Sequence, residues 1–299
     1  MMSKRWLWAI AVTTTLLGGC STGLEDYQQI TMDVQVPQSE DAKGSNKLDY
    51  LAETEAVLAR RLEGFGIASA EIESTNEPEQ IVVRLPLSVD LDIAEEVLTR
   101  RGQLYLRNEK PDTEGDLSTE IENLQRLLVE QNTLFQTGEQ AAAAALRPKI
   151  EQSRNAIADF FEPSELTGER LQSAEAVREE GNIWAVKIQF DEAGAKMFAE
   201  QTKEMAGTGR AVGLFLDNIL LSTPVVDVSF VETGIEGGEA LIAGNFTEEG
   251  AKDLEIQLNS GALPVYLKTV EVTSTAEMEE EKNKESSNEK ANSSEEKSE

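Results

Sequence analysis

Between Ile30 and Val36 apolar and polar residues alternate strictly, with Ile30, Met32, Val34 and Val36 separated by Thr31, Asp33 and Gln35. Successive side chains of a strand point to opposite faces, so this is the pattern of a strand buried on one face. Over residues 48–65 the spacing becomes helical. Leu51, Leu58, Leu62 and Phe65 share one side, and Gly64 and Gly66 lie near the end. Strands are predicted over residues 68–74 and 81–85, divided by the turn Asn76-Glu77-Pro78-Glu79. A second helix over 92–101 stops at Gly102, and residues 103–107 read as a fourth strand.

The order strand, helix, strand, strand, helix, strand predicts an α+β, ferredoxin-like sandwich with helices on one face. Residues 112–162 then change character. Ile121, Leu124, Leu128 and Phe135 recur at helical spacing. After Gly138, a second stripe runs through Ala142, Leu146, Ile150, Ile157 and Phe161. The pattern predicts two helices joined at Gly138 and packed as an antiparallel hairpin, each stripe covering the other. Pro148 is its weak point, because a proline inside a helix removes a hydrogen bond and can kink it. The hairpin reads either as a partner-binding arm or as a spacer.

A mixed pattern follows. A helix is expected to begin near Gly168, a strand to span 183–190, and Ala195, Phe198, Thr202 and Met205 to mark a helix face. Residues 210–216 and 219–226 flank Asp217-Asn218 as a hairpin or bent strand pair, and 240–243 read as a strand. The stretch "GNFTEEGAKDLEIQLNSGALPV", residues 244–265, has the clearest punctuation. Thr247 can cap a helix, and Glu248 and Glu249 suit the positive end of its dipole. Ala251, Leu254 and Leu258 form one stripe; Gly261 can end the helix and Pro264 prevents continuation. A last strand is expected over 265–272. Residues 276–299 contain almost no apolar side chains and have the composition of a disordered acidic tail.

Charge narrows the function. The chain carries 56 Asp and Glu against 27 Lys and Arg, a net charge of -29 over 299 residues. Such a surface repels nucleic-acid phosphates. No histidine is present, which removes His-based triads, His general bases and His-rich metal sites. No motif with a catalytic mechanism is visible, so no catalytic, metal or cofactor residues are assigned and the chain reads as a non-enzyme. The single cysteine, Cys20, excludes an intramolecular disulfide. It ends a basic start (Lys4, Arg5), an apolar run from Trp6 to Leu17 and two glycines, the layout of an export signal. Leu17-Gly18-Gly19-Cys20 resembles the bacterial lipobox, which implies acylation of Cys20 and cleavage before it. Such an anchor would tether the protein to the extracytoplasmic face of the cell membrane, or to the periplasmic side of an outer membrane.

Four stretches of the second half, "LTGERLQSA" from 166, "FDEAGAKMFAEQT" from 190, "GRAVGLFLDNILLSTPVV" from 209 and "IAGNFTEEGAKDLEIQLNSGALPV" from 242, resemble SecD in the same order. The first half, "TEAVLARRLEGFGIASAEIE" and "QIVVRLPL", is similar to the base of SecD's large first extracytoplasmic domain. The resemblance implies a ferredoxin-like base carrying an inserted α+β head subdomain. The segments follow: 1–19 signal peptide, 20–29 tether, 30–110 base, 111–165 helical hairpin insertion, 166–262 head, 263–275 a strand returning to the base, and 276–299 tail. It also implies work in Sec-dependent protein export, through contact with the Sec translocase or with exported unfolded polypeptides. The family's membrane helices are not seen in this sequence, so proton coupling is not carried over. The alternative is an envelope lipoprotein that binds another protein through the hairpin. The apolar runs of the head, with Leu214, Phe215 and Leu216 followed by Ile219, Leu220 and Leu221, are the candidate partner-binding residues, against their plainer reading as buried strands.

Overall fold

The computed structural model describes residues 26–36, 47–76, 79–163, 165–181 and 183–275. The export signal, Cys20, most of the tether, Glu77 and Pro78 of the expected turn, and the acidic tail lie outside the described residues.

The base is built from β1 (Tyr27–Gln35), α1 (Lys47–Gly64), β2 (Glu71–Asn76), β3 (Glu79–Pro86) and α2 (Leu91–Thr99). Between α2 and the last strand come β4 (Leu104–Asn108), α3 (Glu114–Gln136), α4 (Gln140–Ala145), α5 (Arg147–Asp159), β5 (Leu171–Arg178), β6 (Trp184–Phe190), α6 (Glu192–Met205), β7 (Val212–Leu216), β8 (Ile219–Ser222), β9 (Glu239–Phe246) and α7 (Glu248–Ser260). The chain then returns as β10 (Tyr266–Ser274).

The base sheet has the order β10-β1-β3-β2 and is antiparallel throughout. Ile30 lies opposite Val83 and Met32 opposite Ile81, and all four are buried beneath α1 and α2 with Leu51, Leu58, Leu62, Ala94 and Leu98. This is the ferredoxin-like arrangement, but its fourth strand is β10. The strand expected there, residues 103–107, instead pairs with β7, Leu104 opposite Leu216 and Leu106 opposite Leu214. Alternation fixes which face of a strand is buried and leaves its partner open. Leu104 and Leu106 are wholly buried, in the core of the head.

The helical arm departs from the expected hairpin in two ways. Its second limb is broken at Leu146, so Pro148 falls in the first turn of α5, where its missing N–H leaves no gap in the ladder. The buried face of α3 runs through Leu117 and Leu127, with Ile121 and Leu124 packed beside them, while Leu128 and Phe135 of the expected stripe are exposed. Gly138, at φ 81°, turns the chain between the limbs.

The head contains two three-stranded antiparallel sheets, β4-β7-β8 and β5-β6-β9. The helix expected near Gly168 is a single 3-10 turn, Gly168–Arg170, capped by Thr167, and residues 171–178 continue as β5 along β6. Pairing with β6 overrides the local helical pattern there. Helix α7 forms as its sequence implies. The Thr247 hydroxyl accepts the Gly250 N–H at 3.0 Å, and Ala251, Leu254 and Leu258 are buried. Gly261 closes the helix at φ 84°, a conformation that costs other residues strain.

Candidate functional site at the junction of base and head

The chain crosses between base and head twice, at residues 100–103 and at 261–265. Both crossings are tied to one side chain. Arg61 of α1 is wholly buried, and its guanidinium donates to the carbonyls of Val97 (3.0 Å), Arg100, Arg101 (2.7 Å) and Gly261 (3.2 Å). Burial pushes this group down to about 10, partly offset by Asp217 and reinforced by Arg60, which still leaves it cationic at neutral pH. The neighbouring Arg60 donates twice to the Ser260 carbonyl, at 3.0 and 2.8 Å. The end of the last head helix is thus held by two arginines of the first base helix.

Asp217, in the turn between β7 and β8, holds the outgoing crossing from the head side. Its carboxylate accepts the N–H groups of Gly102 (3.2 Å) and Gln103 (2.9 Å), and its own N–H donates to the Gln103 carbonyl at 2.7 Å. The turn places Asp217 at φ 55°, a conformation aspartate tolerates better than most residues. Beside these ties lies a cleft of about 870 Å³ bordered by Tyr50, Arg60, Tyr105, Glu169, Pro264 and Tyr266.

The root of the arm packs on the adjoining sheet. Phe161 meets Phe215 edge to face at 4.9 Å and 78°, and Glu109 accepts the Ala211 N–H at 2.7 Å. At the other rim of that sheet β8 is the edge strand; β9 passes close by without forming a ladder with it. The loop after β8 exposes Val225, Val228 and Val231.

The structure divides the candidate partner-binding residues. Leu214, Phe215 and Leu216 are buried in β7, the central strand, so they are core and present no free surface. Ile219, Leu220 and Leu221 are half-buried on the edge strand. Sequence reasoning missed Arg61 and Asp217. Arg61 carried a signal, because it occupies the apolar stripe of α1 between Leu58 and Leu62, and a charge in a stripe is the informative exception. Among the described residues no group of His, Cys, Asp and Glu is placed to hold a metal ion, and no helix is long and apolar enough to cross a membrane.

The family model for the SecDF P1 head subdomain matches residues 137–265. The chain is 38% identical over 248 residues to the protein translocase subunit SecD of Synechocystis sp., covering 81% of this chain and 52% of that protein. It is 32% identical over 283 residues to SecD of Prochlorococcus marinus, covering 83% and 56%. A solved structure of SecDF, a membrane component that enhances protein export, superposes with a TM-score of 0.57 and 25% identity over 81% of this chain and 98% of that one. The chain is a homologue of the SecD/SecDF P1 domain, base and head. SecDF in its super-membrane-facing form aligns with a TM-score of 0.60 and 25% identity, over 83% of this chain and 30% of that one. The chain spans about half the length of the SecD proteins it matches. In P1 terms, Arg61 and Asp217 fasten head to base.

Proposed function

We propose that this P1 homologue is a membrane-anchored, extracytoplasmic protein that assists Sec-dependent export by holding emerging polypeptides, or the translocase. The observation that carries this reading is the rim of the head: β8 is an edge strand with half-buried Ile219, Leu220 and Leu221, next to the exposed Val225, Val228 and Val231. An edge strand offers unpaired backbone groups, so an extended segment can add to it by main-chain hydrogen bonds with little regard to sequence. The apolar side chains beside it suit the hydrophobic parts of an unfolded chain. The net charge of -29 favours segments bearing Lys or Arg, an attraction that salt weakens.

Titration of the purified chain with labelled unfolded secretory peptides at two salt concentrations tests this reading. Weak, sequence-tolerant binding that falls with salt supports it. Absence of binding up to millimolar peptide defeats it. A second reading, an envelope lipoprotein that binds another protein through the helical arm, is favoured by the exposed Leu128, Val129 and Phe135 on α3. Partners captured through the arm and unrelated to export would support that one instead.

A further inference from the structure

One cavity at the junction has a composition at odds with the rest of the molecule. It measures about 450 Å³ and is lined by Arg100, Arg101, Tyr105, Arg107, Asp217 and Tyr266. Arg107, on β4, lies with its guanidinium carbon 4.8 Å from the Tyr105 ring centre and 4.8 Å from that of Phe215. Among the described residues its side chain makes no hydrogen bond and no ion pair. Arg101 lies 4.7 Å over the Tyr266 ring, donates to the Tyr266 hydroxyl at 3.1 Å, and approaches the Leu263 carbonyl at 3.4 Å. It too has no carboxylate partner among the described residues. Both side chains are half-buried.

Every other buried or half-buried arginine among the described residues has a polar partner: Arg61 and Arg210 donate to backbone carbonyls, and the rest pair with carboxylates. Arg84 pairs with Glu71 and Glu73, Arg154 with Glu151, Arg170 with Asp191, and Arg100 in this cavity with Glu96. The one carboxylate lining the cavity, that of Asp217, accepts a backbone N–H at each oxygen, from Gly102 and Gln103. The plainer account of Arg107 is that its stem covers two aromatic rings. That account leaves its fork of donors idle, in a cavity that two further arginines, Arg100 and Arg101, also line.

We infer that this cavity binds a phosphate-type oxyanion. Two planar guanidinium forks offer more donors than one carboxylate can accept, and they match a phosphate, whose several oxygens carry more charge. The aromatic faces beneath both forks limit the ways they can turn, so less rotamer freedom is lost on binding. Arg101 and Tyr266 belong to the crossings and the base, and Arg107 to the head sheet, so the bound anion bridges the two parts. This site is independent of the polypeptide-binding reading.

The test is calorimetric titration of the purified chain with inorganic phosphate at constant ionic strength. Saturable binding is expected, weakened about tenfold or more by Arg107→Gln and by Arg101→Gln. Arg84→Gln, in the base sheet, should bind as the unaltered chain does. Arg107→Lys, which keeps the charge and loses the fork, should fall between. Near-UV circular dichroism checks that each variant is folded. Glycerol phosphate in solution and vesicles containing phosphatidylglycerol separate the two sources: Arg107-dependent vesicle binding assigns a lipid headgroup, and Arg107-dependent binding in solution alone assigns a free phosphate. No saturable phosphate binding, a folded Arg107→Gln that binds unchanged, or acetate bound as tightly as phosphate would overturn the inference.

Discussion

Arg61 of the first base helix donates to the carbonyl of Gly261, the residue that ends the last head helix, at 3.2 Å. The two residues are 200 positions apart in sequence, so this bond fastens the end of the insertion to its host. Arg61→Met preserves much of the buried volume but leaves the carbonyls of Val97, Arg100, Arg101 and Gly261 without their donor. A loss of about 3–5 kcal/mol is expected, typical of removing one side of a buried charged network. Urea unfolding measures it. Arg61→Lys should recover only part, because an ammonium cannot span four acceptors.

The arm is separable only beyond its root. Leu117, Ile157 and Phe161 bury Phe215, whereas Leu127, Leu146 and Ile150 form their own cluster farther out. Joining residue 124 to residue 150 by a short Gly/Ser linker should cost about 1 kcal/mol or less of head stability, within the usual range of surface changes. Removing 112–162 entirely uncovers Phe215 and should cost about 3–5 kcal/mol, as loss of buried aromatic packing does. Thermal unfolding of the two deletions distinguishes these outcomes. Equal, small losses would show that the arm contributes nothing to the head core.

Acid should relieve one strain in the head. Burial, with the charges of Glu249 and Glu96 adding to it, pushes the Asp253 carboxyl above the usual aspartate range. A carboxyl raised in the folded state binds its proton more readily there than in the unfolded chain, so it lowers stability at neutral pH. That cost fades as pH falls through the raised value towards the ordinary one. Asp253→Asn should therefore raise the Tm at pH 7, and the gain should shrink as the pH is lowered towards 4. A gain independent of pH would point to a cause other than charge.

Cys20→Ser should abolish lipid modification and stable membrane association while leaving the folded domain unchanged. Among the described residues no helix is long and apolar enough to cross a membrane. Detergent phase partitioning of the two proteins decides it, and equal partitioning would defeat the lipoprotein reading.

Much of this architecture could be read from residue pattern, and its gaps have physical causes. Helix α7 was legible because Thr247, the Leu254–Leu258 stripe and Gly261 are local signals, and each acts as its chemistry requires. The pairing of β4 was not legible, because a strand's alternation is the same whichever sheet receives it. The turn after Thr167 looked helical until β6 supplied a partner for β5. At the site, Phe215 and Leu220 lie opposite one another in adjacent strands, yet one is buried core and the other half-exposed at the rim. Their sequence runs look alike; only strand order separates them.

Strand addition at β8 is the central claim, and site-specific photocrosslinking in cells tests it most directly. A photoreactive residue in place of Ser222 lies on β8, and one in place of Glu73 lies on β2, the edge strand of the base sheet. Both positions are on edge strands, so general stickiness of strand rims would label them alike. The account expects exported polypeptides crosslinked at position 222 during active secretion and few or none at position 73. Equal crosslinking at the two positions, or none at 222 while export proceeds, would contradict it.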